Sequence, residues 1–361
     1  MKYYPFLFIF SAIAFCSCQE SPSPAPIPTT DLYFPPLQSG NWETTSLGLE
    51  EEKLEELEQL LAENGTRAFI VLKDGKMALE YYFGNRLTGN QPFQENSAWY
   101  WASAGKTLTA TLVGIAQEEG RLSLDQPTSE ILGPGWSSLT AEQENRIQIW
   151  HHLSMTTGLD EGVSNSDDYA PENLQYLTDP GQRWAYHNAP YTLLDPILEQ
   201  ATGLGLSEYF QQKIGAKIGM TGFWQEIGYN RVFFSDARSM ARFGLMILAK
   251  GMWGSEEIIT DKAYLQAMLT PSQELNESYG YLWWLNGKSS FMVPGVQSPF
   301  PGSFIPNGPS DMVCGMGRDG QYVCVVPSQN LVLVRMGENP EQSLIAFRFL
   351  DTIWETIHST P

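Results

Sequence analysis

Ser103 and Lys106 form the pair with the clearest chemical use, because they lie three residues apart in the stretch WASAGKT at 101–107. Residues three apart share a face of a helix, which would bring the lysine amine near the serine oxygen. A lysine desolvated by its pocket can be neutral at pH 7 and accept a proton. The spacing therefore predicts a serine nucleophile activated by a lysine. Alone it is a weak signal, since about one Ser-x-x-Lys is expected by chance in such a chain.

A second candidate is the Tyr-x-Asn of Tyr186 and Asn188, which occurs once in the chain. The phenolic oxygen can accept or shuttle a proton, and the amide can position a substrate. A phenol of ordinary pKa is a poor base, but a cation such as Lys106 nearby would lower the pKa of Tyr186. The alternative is a packed tyrosine without a chemical role.

A third candidate is the glycine-bearing stretch CGMGR at 314–318. Small residues on an edge strand let a substrate approach the backbone closely. A backbone N–H at this strand, together with that of Ser103, can form an oxyanion hole, which makes Gly317 and Arg318 candidates for substrate binding. The alternative is a glycine-rich strand end with no role in chemistry.

The histidines do not indicate a Ser-His-Asp hydrolase, because the chain has no Gly-x-Ser-x-Gly nucleophile elbow. His151 and His152 are assigned structural roles, and His187 is a candidate to line the pocket, although a structural role is favoured there too. No Cys/His cluster has the spacing of metal ligands. No metal or organic cofactor is expected.

The scaffold for these residues is predicted to be discontinuous in sequence. Apolar runs at 67–72 and 77–83 flank a Lys-Asp-Gly-Lys turn and predict a hairpin. Strand patterns return near the C-terminus, at 279–285, 311–317, 321–327 and 331–336. Between them the pattern is mostly helical, and a last helix is predicted at about 340–358.

We therefore predict an α/β (α+β) fold with an antiparallel sheet flanked by helices and an inserted helical lobe. The sheet lobe takes about residues 41–120 and 270–361, and the helical lobe about 121–269. The cleft between lobes is the expected ligand site.

The net negative charge of the chain disfavours polyanions as binding partners. The chain has 361 residues and a formal net charge of -20. Nucleic acid is disfavoured, since phosphate binding needs clustered Lys and Arg. Electrostatic docking on an anionic membrane is disfavoured for the same reason.

The N-terminus predicts export. Residues 1–18 have a basic Lys2, an apolar run and the ending FCSC, which is typical of a lipoprotein signal peptide with Cys18 as the lipidated residue. We expect a protein of the bacterial periplasm, outer membrane or cell surface that meets the membrane only through this anchor. A secretory peptide without lipid is the alternative. Residues 19–40, rich in Pro, Ser and Thr, predict a flexible linker, and 41–361 the folded domain.

Cys314 and Cys324 flank a hairpin-turn signal. A two-residue turn at Asp319 and Gly320 would place the two cysteines one step out of register. A disulfide is therefore possible but not favoured, and two buried free thiols are the favoured interpretation.

Together these motifs resemble the penicillin-recognising serine hydrolases of the class C β-lactamase type. That group includes D-alanyl-D-alanine carboxypeptidases, certain serine esterases and 6-aminohexanoate-dimer hydrolase. The resemblance covers about residues 45–355 and rests on SAGK at 103–106 and YHN at 186–188, with LSMTTGL at 153–159 and YTLL at 191–194 in the matching order. It implies the β-lactamase/transpeptidase-like fold.

The resemblance also implies roles. Ser103 attacks a carbonyl and becomes acylated, Lys106 and Tyr186 share activation and proton transfer, and Asn188 orients the substrate. The backbone N–H groups of Ser103 and Arg318 hold the oxyanion. Water then releases the acyl group.

The third motif selects among substrates. β-Lactamases and carboxypeptidases of the family carry Lys-Thr-Gly or His-x-Gly where this chain has GMG at 315–317, or MVC at 312–314 if aligned without a gap. We therefore expect an esterase or amidase that acts on a small-molecule or peptide-like substrate. A β-lactamase or D-Ala-D-Ala carboxypeptidase acting on cell-wall peptides is one alternative. A sensor that is acylated without turnover is another.

Overall fold

The computed structural model of the chain describes Met1 and residues 32–38 and 40–358. Cys18, the predicted signal peptide beyond Met1 and most of the predicted linker lie outside the described residues. Within the described residues, no helix has the length and apolar character needed to cross a bilayer.

Residues 32–38, which the sequence placed in the linker, contact the folded body. The backbone N–H of Tyr33 donates to the carbonyl of Asp74 at 3.0 Å. The ring of Phe34 packs edge-on against Trp253, with 5.3 Å between centroids. The folded body therefore includes residues before the predicted boundary at 41.

The first strands form the predicted hairpin. Helix α1 (Glu51–Glu63) leads into strands β1 (Thr66–Lys73) and β2 (Lys76–Tyr82), which pair antiparallel. Asp74 and Gly75 at the turn both have positive φ, a conformation that favours Asp-Gly in tight hairpins. The predicted hairpin is confirmed.

The segment that carries the candidate nucleophile follows. It comprises strand β3 (Trp99–Tyr100), a 3₁₀ turn (Ala102–Gly105) and helix α2 (Lys106–Glu118). Short helices then succeed one another: α3 (Thr128–Leu132), α4 (Ala141–Glu144), α5 (Ile149–Leu153), α6 (Asn188–Thr192), α7 (Leu194–Thr202), α8 (Leu206–Phe210) and α9 (Ala216–Ile218), with a 3₁₀ turn at Pro171–Asn173 and a π turn at Gln211–Gly215.

The remaining elements return the chain to the sheet. Strands β4 (Phe223–Ile227) and β5 (Asn230–Ser235) precede helix α10 (Ala237–Leu248), strands β6 (Met252–Trp253) and β7 (Glu256–Glu257) and helix α11 (Lys262–Met268). The C-terminal part contains β8 (Trp284–Leu285), β9 (Ser290–Phe291), β10 (Phe300–Pro301), β11 (Val313–Gly317), β12 (Gln321–Val326), β13 (Leu331–Gly337) and α12 (Phe347–His358).

The main sheet joins the two ends of the chain. Within the described residues it contains six antiparallel strands in the order β2-β1-β13-β12-β11-β8. The central β1–β13 pair brings together residues as distant as Thr66 and Arg335, 269 positions apart, which are hydrogen-bonded at 3.1 Å. Helix α10 packs across β1, β12 and β13. The predicted fold class, an antiparallel sheet with packed helices, is confirmed.

The stretch predicted as mostly helical also contains a strand pair, which the sequence analysis missed. β4 and β5 form a hairpin around Gly228, and β5 pairs with β3. Aromatic rings hold the hairpin in place: Trp224 packs on Phe233, with 4.5 Å between centroids. The carbonyl of Phe233 accepts a hydrogen bond from the N–H of Trp101 at 2.8 Å. This small sheet therefore fixes the chain just before Ser103.

Two predicted boundaries differ from the structure. Of the predicted strand at 279–285 only β8 is formed, because Leu282 has a φ of +63°, which a strand residue does not adopt. The predicted last helix begins at Phe347 rather than at about 340.

Cys314 and Cys324 are joined by a disulfide, so the expectation of two free thiols is wrong. The turn between β11 and β12 contains three residues, Arg318, Asp319 and Gly320, and this pairs the two cysteines directly. Asp319 and Gly320 have φ values of +66° and +72°, which close the longer turn. A cross-link over so short a loop typically stabilises a fold by about 2–4 kcal/mol.

Candidate active site

Ser103 lies in the turn between β3 and α2, close to the end of β11. The preceding residue, Ala102, has a φ of +46°, which residues other than glycine seldom adopt. Backbone strain of this kind clusters at functional sites, where the surrounding structure holds it in place. Here it reverses the chain sharply after β3 and begins the 3₁₀ turn that carries Ser103.

Lys106 lies one turn later with its amine beside Ser103. Its Nζ is 3.2 Å from Ser103 Oγ and donates a hydrogen bond to Asn188 Oδ1 at 2.9 Å. The side chain is almost fully enclosed, with the residue 4% exposed. Burial lowers the pKa of Lys106 to about 7, against the opposing pull of Asp167 and Asp195. A large fraction of the amine is therefore neutral at pH 7 and able to accept a proton.

Tyr186 lines the same cleft as Ser103, and the serine side chain acts on its phenol in the direction that lowers the pKa of Tyr186. Burial raises the pKa of Tyr186. The expectation of a lowered pKa is wrong, because loss of hydration dominates even though Lys106 Nζ lies 5.4 Å from the ring centroid. The ring is stacked against Trp284, with 6.1 Å between centroids, which fixes its direction.

Asn188 connects Lys106 to the cleft surface. Its Oδ1 accepts from Lys106, and its Nδ2 donates to Asp167 Oδ1 at 2.8 Å. The two partners are chemically different, an amine donor and a carboxylate acceptor, so they hold the amide in one orientation. Asn188 begins helix α6, next to the strand-like backbone of His187.

Strand β11 ends directly against the nucleophile turn. A Cβ placed on Gly317 would lie 2.5 Å from the carbonyl oxygen of Trp101 and 3.0 Å from the nitrogen of Ser103. Only glycine permits this approach, which brings the Ser103 backbone beside the end of β11. Arg318 follows and lines the same cleft. Its guanidinium has no hydrogen bond or ion pair with other parts of the described chain.

The cleft has a volume of about 260 Å³. Besides Ser103, Tyr186, Asn188 and Arg318, it is lined by residues from loops and from the region before α12, namely Glu161, Ser166, Asp167, His187, Pro294, Gly295, Leu344 and Ile345.

The charged side chains of the cleft differ in whether they form an ion pair within the protein. Glu161 is engaged by a two-point ion pair with Arg183. Arg318 and Asp167 therefore remain as the charges most able to meet a ligand.

Of the three histidines considered in the sequence, two are buried away from the cleft and one lines it. His152 is buried between Thr128 Oγ1 at 2.8 Å and the carbonyl of Pro190 at 2.7 Å, and His151 accepts from the N–H of Gln148 at 2.9 Å. Burial lowers their pKa values to about 4 and about 3, so both are neutral. Their predicted structural role is confirmed. His187, for which a structural role was favoured, lines the cleft, and its Nε2 is hydrogen-bonded to the carbonyl of the Ser166 loop at 2.8 Å.

Sequence reasoning missed three residues that surround Lys106. The ring of Tyr191 lies 4.0 Å from Lys106 Nζ. Asp167 and Asp195 both act electrostatically on the amine. Asp195 could have been recognised from the sequence, because it is a carboxylate within the apolar stretch LLDPIL at 193–198, and carboxylates are seldom buried without a reason. Asp167 left none, since it lies in a polar loop without periodicity.

Comparisons with known proteins support the family resemblance that the sequence motifs indicate. The family whose sequence model matches is described as beta-lactamase, and the match covers residues 56–340. The chain is 26% identical to the 6-aminohexanoate-dimer hydrolase of Paenarthrobacter ureafaciens, over 80% of this chain and 76% of the relative. It is 26% identical to a beta-lactamase of Escherichia coli K12, over 44% of this chain and 42% of the relative. A solved beta-lactamase/D-alanine carboxypeptidase from Pseudomonas syringae superposes with a TM-score of 0.61 at 17% identity, over 86% of this chain and 99% of that one.

Proposed function

Because the chain belongs to the beta-lactamase family, we propose that it hydrolyses a small ester or amide through an acyl-enzyme on Ser103. One observation carries this proposal. The hydroxyl of Ser103 lies 3.2 Å from a buried amine whose pKa is about 7. A lysine in that state is the activating base that a serine nucleophile needs at neutral pH.

Acylation begins with Lys106. The neutral amine takes the proton of Ser103 as Oγ bonds to the substrate carbonyl carbon, and the carbonyl electrons move to its oxygen. The backbone N–H groups of Ser103 and Arg318 are the proposed donors to that oxyanion. Collapse of the intermediate breaks the bond to the leaving group.

Tyr186 is better suited to give a proton than to take one. Its raised pKa keeps the phenol protonated at rest, and its place in the cleft lining with Ser103 puts it near the reacting atoms. It is the proposed shuttle that passes the proton from Lys106 to the leaving nitrogen or oxygen. In the second half, water loses a proton to Lys106 as its oxygen bonds to the acyl carbon. Collapse of this intermediate breaks the bond to Ser103 Oγ, which takes the proton back from Lys106, and the acid is released.

Trapping the intermediate tests this function. After mixing with a p-nitrophenyl ester, mass spectrometry of the quenched protein should show one acyl group on the peptide that contains Ser103. The adduct should disappear as product accumulates. A lasting adduct would indicate the acylated sensor instead, and an absence of any adduct in folded protein would refute acylation at Ser103.

The substrate proposal rests on Arg318. An uncommitted guanidinium at the cleft, beside the end of β11, is suited to bind a substrate carboxylate with charge-assisted hydrogen bonds. This favours a small acid-bearing amide or ester. It also keeps a second candidate open, a β-lactamase or D-Ala-D-Ala carboxypeptidase, since those substrates carry a carboxylate. Turnover of nitrocefin or of a D-Ala-D-Ala peptide would favour that candidate.

Replacing Arg318 by glutamine should raise KM for a carboxylate-bearing ester by about tenfold, the loss of one charge-assisted contact. The KM for a matched neutral ester should change little. Steady-state kinetics with the two esters measures the difference. Arg146→Gln, which removes an arginine paired with Asp179 outside the cleft lining, is the control and should affect neither. Equal losses on both esters would assign Arg318 to the fold rather than to the carboxylate.

We also propose that the protein is exported and held at the membrane by lipid on Cys18. The Cys314–Cys324 disulfide supports export, because structural disulfides persist mainly outside the reducing cytoplasm. Incorporation of a labelled fatty acid, lost in Cys18→Ser, tests the anchor.

A further inference from the structure

Asp195 is an unusual residue for its position. It lies in the first turn of helix α7, and the residue is 2% exposed. Its Oδ1 has no hydrogen-bond partner among the described residues. A buried carboxyl group without partners costs folding free energy, so its presence needs a reason outside stability.

The geometry connects Asp195 to Lys106. Helix α7 packs against helix α2, which Lys106 begins. Tyr191 lies one helical turn before Asp195, and its ring contacts the lysine, 4.0 Å from Nζ. The Tyr191 hydroxyl is 3.2 Å from Thr109 Oγ1, one turn after Lys106 on α2. The ring is thereby held at the lysine, and the carboxyl group lies in the same enclosed region.

We propose that Asp195 is a positioning residue that acts through Lys106, as the buried counter-charge to the ammonium that forms when Lys106 takes the proton of Ser103. The inference rests on the proposed function. The proton moves from Ser103 Oγ to Lys106 Nζ and then to the leaving group, and Asp195 gains and loses none. Its negative charge stabilises the lysine only while the lysine is positive, which is the state that precedes release of the leaving group.

The charged groups around Lys106 and Asp195 determine in which direction the pKa of Lys106 should change when the Asp195 charge is removed. Lys106 is attracted by Asp167 from the cleft side and by Asp195 from α7. Burial raises the pKa of Asp195 to about 7; Arg231 on β5 and Lys106 oppose this rise, and Glu199 on its own helix adds to it. The carboxyl group is therefore charged in a large fraction of molecules at pH 7 and in most of them above it. Removing the Asp195 charge takes away a contribution that raises the lysine pKa, so the pKa of Lys106 should fall further. Neutral Lys106 then persists at lower pH, but its protonated form is less stabilised.

The test is the pH dependence of acylation, followed by stopped-flow release of p-nitrophenol from an activated ester. In Asp195→Asn the acidic limb of the rate should move down by about half a pH unit, since the wild-type carboxyl is only partly charged near pH 7. The plateau on the alkaline side should fall by about tenfold. Asp195→Ala should show the same limb, because it shares the missing charge but differs in packing. Glu256→Gln, which removes an exposed carboxylate at its ion pair with Lys217 and acts on neither Lys106 nor Asp195, should keep the wild-type limb.

The outcomes separate the two proposals. Wild-type protein that is not acylated would overturn the proposed function itself. Acylation of the wild type together with an unmoved limb in both Asp195 variants would leave that function standing and overturn the role of Asp195, whether or not the plateau falls. Unequal limbs in the Asn and Ala variants would also overturn it, because packing rather than charge would then be responsible.

Discussion

Replacing Ser103 by alanine should lower kcat by about 10⁴-fold or more on any substrate that the protein turns over. The reason is that the acyl-enzyme cannot form without the Ser103 hydroxyl, which lies 3.2 Å from Lys106 Nζ. What remains is the acceleration that binding and oxyanion stabilisation give to attack by water. Initial rates with a p-nitrophenyl ester measure the loss, and the acyl adduct should vanish from the mass spectrum.

Ser166→Ala is the matched control for this experiment. Ser166 lines the same cleft, but its contact with His187 is made through the backbone carbonyl, which alanine preserves. Its kcat should stay within about twofold of the wild type, as expected of a substitution away from the reacting atoms. If Ser103→Ala retained wild-type turnover while Ser166→Ala lost it, the nucleophile would be misassigned.

Replacing Lys106 by methionine should lower kcat/KM by about 10³-fold, the usual contribution of a general base. In the wild type, kcat/KM should fall about tenfold per pH unit below about pH 7, because the base is the neutral amine and the pKa of Lys106 is about 7. The methionine variant should lack this limb. A pH–rate profile of both proteins from pH 5 to 9 measures the effect.

Stability distinguishes this loss from unfolding. The ordinary lysine pKa is 10.5, and burial lowers it to about 7 in the folded protein. Between these values the unfolded chain binds the proton and the folded chain does not, so wild-type stability should rise with pH across that range. Methionine removes the buried amine, so at pH 7 the variant should melt at the same temperature as the wild type or higher. An inactive variant that melts well below the wild type would leave the general-base role unsupported.

The fold was most predictable where local chemistry and the apolar pattern agreed. The β1–β2 hairpin has alternating strands and an Asp-Gly turn, and both signals point to the same structure. The β11–β12 turn carried the same dipeptide, yet Arg318 joins the turn and shifts the register by one residue. Turn length depends on how the strands pack in the sheet, which the dipeptide alone does not encode. The expectation of free thiols failed for that reason.

The candidate site likewise contains some contacts that the sequence predicts and others that only the folded structure shows. The three-residue spacing of Ser103 and Lys106 is enough to predict that they lie close together, since three residues make about one helical turn. The hydrogen bond from Lys106 to Asn188 spans 82 residues, and no local pattern could reveal it. The sequence predicts a lowered pKa for Tyr186 from a nearby cation, whereas in the structure the burial of the phenol raises it. Burial is a property of the whole fold, and a short motif does not contain it.

The pairing of β1 with β13 has a consequence for biosynthesis. The two central strands of the sheet hold residues 269 positions apart. At about 5–20 residues per second, a ribosome needs on the order of 15–50 s to make the second strand after the first. The edge of β1 lies unpaired for all of that time, open to association with other chains. Gly317 and Arg318 also come late, so a nascent chain that already displays Ser103 is still without the strand that completes its cleft.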